Sequence, residues 1–166
     1  YTIVASTFET FMFSRFKLRV GLDCPFVITP IPREGAGMRL RELHGRWVPG
    51  TNCCGGPVDQ YYARNPRFLV RAERQTDVLA RLQTPQAEDL PMINLSLFEF
   101  SDAVLGRVSA SSGSYTNSPQ GVATRRISIG TPRTCADSPA EYLVVASTWD
   151  QDVNTSFVLY FYSEHA

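Results

Sequence analysis

The apolar positions of this chain fall into short runs separated by glycine, proline and polar clusters, the pattern of an all-β protein. Two runs near the end, Tyr142–Thr148 and Phe157–Tyr162, are rich in Val, Tyr and Phe and are joined by a link of Asp, Gln and Asn, which predicts a closing hairpin. Met38–Val48 alternates, with Leu40, Glu42 and His44 on one face and Arg39, Arg41 and Leu43 on the other. This strand is expected to bend at Gly45 before Trp47. Arg67–Ala72 and Thr76–Leu82 predict a second hairpin around Glu73–Gln75. Met92–Phe100 is apolar on both faces and suits a central strand, and Val122–Ile129 predicts one more. Pro49–Pro57, Gln83–Pro91, Ser101–Gly121 and Gly130–Pro139 read as loops, the serine-rich third one mobile. With about eight strands and no amphipathic helix, the expected architecture is an antiparallel eight-stranded β-sandwich.

The chain also repeats itself. Residues 1–23 align without a gap on residues 142–164, an offset of 141, with seven identities: Tyr1, Val4, Ala5, Ser6, Thr7, Phe16 and Leu18. An offset of that size is a domain repeat. The expected organisation is therefore a terminal hairpin of a preceding sandwich copy at 1–23, a proline-rich connector at 24–37, and a full sandwich at 38–166. The natural N-terminus is expected to lie upstream. Where the second copy has the polar Gln151–Asn154, the first has Thr10 followed by Phe11, Met12 and Phe13. Three large apolar side chains at such a tip are each worth roughly 1.5–3 kcal/mol when buried. They are expected to contact a neighbouring domain, a partner protein or a membrane.

Lys plus Arg equals Asp plus Glu at 16 each, so bulk charge draws the chain toward neither nucleic acid nor membrane. No apolar run reaches the roughly 18 residues of a spanning helix. The four cysteines, Cys24, Cys53, Cys54 and Cys135, are too few for a disulfide framework, and two histidines without a CxxC argue against zinc. A reduced, cytoplasmic protein with cysteines as small buried residues is expected. The glycine-rich loop lacks the GxxxxGK[ST] phosphate signature. His44 has no nucleophile near it and reads as a partly exposed strand histidine. Asp150, Asp152 and Asn154 have a D-x-D-x-N spacing, and the two aspartates are the metal candidates for calcium, which asks for 6–8 oxygen ligands. A sugar-binding face would need Trp47 and Trp149 exposed together, whereas both read as core residues.

Gly45-Arg46-Trp47, Gly50, Gly55-Gly56 and Asn65-Pro66-Arg67-Phe68, together with Tyr142–Trp149 and Phe157–Glu164, resemble the opening and closing motifs of the calpain β-sandwich domain, domain III. Tyr1–Asp23 resembles the same ending. Two such sandwiches in series are similar to the PalB-like atypical calpains. Ala5 and Ala146 stand where that family usually has proline. The resemblance implies a non-catalytic regulatory or recognition module of a calpain-like cysteine protease, in contact with the protease's other domains or a protein partner. It implies as alternative a calcium-dependent phospholipid-binding module. The family's Cys-His-Asn chemistry has no counterpart legible here, and no cofactor is expected.

Overall fold

A computed structural model describes residues 1–6, 14–101, 103–130 and 139–165. The chain divides into two units, Tyr1–Pro32 and Arg33–Ala166. The second is an all-β sandwich. Its strands are β1 (Arg39–Trp47), β2 (Arg67–Ala72), β3 (Thr76–Gln83), β4 (Ile93–Ser101), β5 (Val104–Ser111), β6 (Val122–Ala123), β7 (Ile127–Ile129), β8 (Ala140–Thr148) and β9 (Thr155–Ser163). One sheet runs β1-β9-β3, with β6 and β7 both on the far side of β3; the other runs β2-β8-β4-β5. All ladders among these strands are antiparallel.

Neither expected hairpin forms. β8 pairs with β2 and β4, and β9 pairs with β1 and β3, so the closing pair supplies the middle strand of each sheet. Likewise β2 and β3 lie in opposite sheets, and Glu73–Gln75 is an arch between them. The burial of β8 gives the physical reason: Leu143 through Thr148 are buried without alternation. A strand covered on both faces needs neighbours on both edges, which its sequential partner alone cannot provide.

The core lies between the sheets and contains Trp47, Leu82, Leu95, Val144, Ala146, Phe157 and Leu159. Trp47 is fully buried, its ring 4.4 Å from that of Phe157. β1 continues through Gly45 with its register to β9 unbroken. The Gly45 hydrogen leaves room for the Phe157 ring, which an added Cβ would meet at 2.2 Å. The Trp47 indole N–H crosses the sandwich to donate to the Ala146 carbonyl at 3.0 Å. Register explains why that carbonyl is free. Arg67 faces Val145, so Pro66 faces Ala146, whose N–H donates to the Pro66 carbonyl at 2.9 Å. Proline has no N–H to return the second bond, and the indole supplies it.

Three further differences have local causes. The strand expected over Val122–Ile129 is split, because the Thr124 hydroxyl accepts the Ala80 N–H at 3.0 Å where a ladder bond would form. Within Ser101–Gly121, Val104–Ser111 is the edge strand β5, and Ile93 pairs with Thr116 beyond it. Trp149 is not a core residue; it is 49% exposed. His44 is exposed on β1 beside Glu42, 3.1 Å away, as its alternation predicts.

In the first unit, the described residues 1–6 and 14–22 carry no strand. Their counterparts in the repeat, β8 and β9, lie in opposite sheets. Counterparts of buried residues are exposed here: Val4 and Phe16 are 80% and 76% exposed, against 0% and 1% for Val145 and Phe157.

The clamp generates a double-mutant test. Trp47→Phe is expected to destabilise the chain by about 2–4 kcal/mol, combining lost volume with an orphaned carbonyl. Adding Pro66→Ala restores an N–H opposite Ala146 and is expected to recover part of that loss, measured by denaturant unfolding. Strictly additive effects would remove the proposed link between the two residues.

Candidate functional site

The loop joining β1 to β2 crosses from one sheet to the outer face of the other, and the single buried Asn65 organises it. Asn65 is 1% exposed. Its amide nitrogen donates to the carbonyls of Gly55 (2.9 Å) and Tyr62 (3.0 Å), and its oxygen accepts the Cys54 N–H at 3.1 Å. Gly55 takes φ +75°, where an added Cβ would strike the Asp59 carboxylate at 2.4 Å. The loop then turns through a short 3-10 segment, Tyr62–Arg64, that sets Tyr62 edge-on to Phe98 at 6.1 Å. Leu143 and Val145 of β8 are buried yet lie outside the intersheet core. Alternation puts them on the outer face with Phe98, where this loop covers them. The glycines therefore shape a lid over a sheet.

The same end of the sandwich carries a polar row on β4 and β8. Ser96 donates to Asn94, Asn94 donates to the Gly113 carbonyl at 2.6 Å, and Tyr115 and Ser147 share a 2.6 Å hydrogen bond. Burial pushes the Tyr115 phenol up to about 12, so it stays protonated at neutral pH. Trp149 stacks edge-on against Tyr115 at 5.3 Å and lies over Gly56. Neither aromatic was singled out by pattern as a surface feature, since each sits in a polar stretch. With Trp47 buried and Trp149 half-exposed, no common tryptophan face exists for a sugar.

The metal candidates lie in the adjoining link, residues 149–154. Asp150 and Asp152 are exposed there. The Asp150 carbonyl accepts from the Thr148 hydroxyl at 2.6 Å and from the Cys53 thiol at 3.3 Å, and Asn154 accepts from Arg46 at 3.1 Å. Among the described residues no three His, Cys, Asp or Glu side chains converge. Phe11, Met12 and Phe13 lie outside the described residues.

Cys53 is buried, its sulfur 3.2 Å from the Thr148 hydroxyl, and burial pushes the Cys54 thiol up, the neighbouring Cys53 adding to the shift. Cys24 is exposed and is not the buried residue its type suggests.

At the opposite end the sheets part between β1 and β2. They leave a groove of about 600 Å³, lined by Leu43, Phe68, Val70, Val144, Leu159 and Phe161. Arg41, Arg71, Glu73 and Arg74 also line it and are exposed. Among the described residues no helix is long and apolar enough to cross a membrane.

Asn65→Ala is expected to destabilise the chain by about 2–3 kcal/mol, because it leaves buried loop groups without partners. Asn65→Asp is expected to do no better, since a carboxylate cannot donate to the Gly55 and Tyr62 carbonyls. Thermal unfolding of both variants checks this. Calcium titrated into the chain is expected to leave its melting temperature unchanged; calorimetric binding with a rise in melting temperature would assign Asp150 and Asp152 as ligands.

No family model matches the chain. Over 152 residues, 91% of the chain, it is 32% identical to a protein named calpain-like protease palB/RIM13 from Cryptococcus neoformans var. neoformans serotype D, and to the same extent to its counterpart from a second strain. The match covers 17% of those relatives' length. Along 91% of its own length the chain is thus related to a segment of PalB-like, calpain-related proteins.

Proposed function

We propose that this chain is a non-catalytic recognition module, of the calpain domain III type, within a calpain-like cysteine protease. Its role is to hold the protease against its other domains or a protein partner. The observation that carries this reading is the state of the two sandwich thiols that can be described. Thiolate chemistry needs a lowered pKa and a base. Cys53 is buried beneath Thr148 and the Asp150 carbonyl, and burial pushes the Cys54 thiol up, away from the lowered range that thiolate chemistry needs. Against these inert thiols stand an apolar groove with charged walls and a half-exposed tryptophan, features of surfaces that bind. Free thiols at Cys24, Cys53 and Cys54 fit a reducing compartment, the cytoplasm.

Removing residues 33–166 from the intact protease tests this. The catalytic thiol should still react with an epoxide inhibitor, while cleavage of the protein substrate falls by about tenfold or more as the tethered contact is lost. Undiminished cleavage would overturn the reading, as would peptidase activity in the present chain that disappears on Cys53→Ser or Cys54→Ser.

A further inference from the structure

The groove between β1 and β2 carries more information than its volume. At about 600 Å³ it is within the usual 300–1,000 Å³ of binding pockets. Its walls come from the interior faces of both sheets, so its floor is core: Val144 is 1% and Leu159 0% exposed. Among the described residues β1 pairs only with β9 and β2 only with β8, so both lips of the groove are strand edges that no described strand covers. Such edges offer main-chain N–H and C=O groups to an added strand.

Charge narrows the occupant. Three of the four acidic and guanidinium side chains lining the groove are arginines: Arg41, Arg71 and Arg74, against Glu73. Arg71 is tied to Glu141 at 2.8 Å. Arg41 and Arg74 make no ion pair among the described residues. Arg41 shares the face of β1 that carries Leu43 and Trp47, and it stands opposite Phe161 in the register. A guanidinium on the core-facing side of an edge strand repels a neutral apolar strand, which would strip its water without pairing it. It accepts a strand that brings a carboxylate. His165 also lines the groove and adds a further donor.

We infer that the groove receives an extended, acidic segment of a partner protein. One large apolar side chain of that segment fills the cleft beside Phe68, Val70 and Phe161. Flanking carboxylates meet Arg41 and Arg74, and the main chain adds to one free edge. A small acidic amphiphile could satisfy the cleft and the arginines but would leave the strand edges unused, which favours a peptide. This assignment rests on the recognition reading above and gives it a place and a partner chemistry.

The test is selection of random twelve-residue peptides displayed on phage against the whole chain, followed by fluorescence anisotropy with the most enriched synthetic peptide. Enriched sequences should carry Asp or Glu on either side of a Phe, Leu or similar residue, and affinity should fall with added salt. Arg41→Glu combined with Arg74→Glu should weaken binding by roughly tenfold or more. Both positions are exposed, and an unchanged unfolding curve would certify that the variant is folded. If it is not, the two single Arg→Gln variants make the same measurement. Acidic peptides that bind the folded charge-reversed chain equally well would overturn the groove while sparing the recognition reading. Selection of basic peptides, or of none, would overturn the acidic-segment assignment. The effect of deleting residues 33–166 from the protease reports on recognition independently.

Discussion

A missing N–H at Pro66 sets the frame of this sandwich. Because proline cannot return the bond that Ala146 gives it, one carbonyl in the middle of β8 would lie buried without a donor. The Trp47 indole fills that position from the opposite sheet. To reach it, the indole lies across the core, tilted 41° against the Phe157 ring, and Phe157 in turn needs Gly45 opposite it. Phe68 closes the same cluster edge-on at 6.3 Å. The glycine-x-tryptophan pair and the asparagine-proline-x-phenylalanine run, far apart in the chain, thus form one interlocked unit. A buried carbonyl left unpaired costs about 1–3 kcal/mol, which is why a single absent hydrogen constrains so many neighbours.

Asn65 acts one residue earlier, on the other side of the sheet. It fixes the crossing loop, and through Tyr62 that loop turns the outer surface of β8 and β4 into a second covered layer. A strand buried on both faces is the result. The apolar continuity of Leu143–Ala146 and the asparagine beside the proline are two halves of one arrangement.

Much of this was legible in the residues. The strand runs, the arginine-rich alternation of β1 and the core position of Trp47 follow from period and composition. Partner choice between sheets was not. Tyr142–Thr148 and Phe157–Tyr162 look like a hairpin because proximity in sequence is the only pairing information a single chain displays, whereas pairing is set by which faces must be covered. β5 escaped notice because Ser109, Ser111 and Gly106 carry little apolar weight; its order comes from its antiparallel ladder with β4. Trp149 misled by type, since a large aromatic ring here packs on Tyr115 at the rim. The groove was invisible, as it is made by residues from six strands, β1, β2, β3, β7, β8 and β9, that meet only once the sheets are assembled. Its arginines Arg41 and Arg74, without an ion pair among the described residues, already stood in the β1 alternation and the β2–β3 turn.

The placement of β8 and β9 has a consequence for how the molecule comes into being. Among the described residues β1 has no ladder partner except β9, and β2 has none except β8. As the sandwich emerges from the ribosome, both early strands must therefore wait for the last two of the unit before either can pair. Every intermediate before that moment exposes two unpaired strands and the apolar faces they will bury, and closure then depends on contacts between residues as distant as Arg39 and Ser163. Such topology folds slowly and aggregates readily. The arginines spaced along β1 and β2 put charge on both waiting strands, and so help keep the nascent chain soluble until its centre arrives.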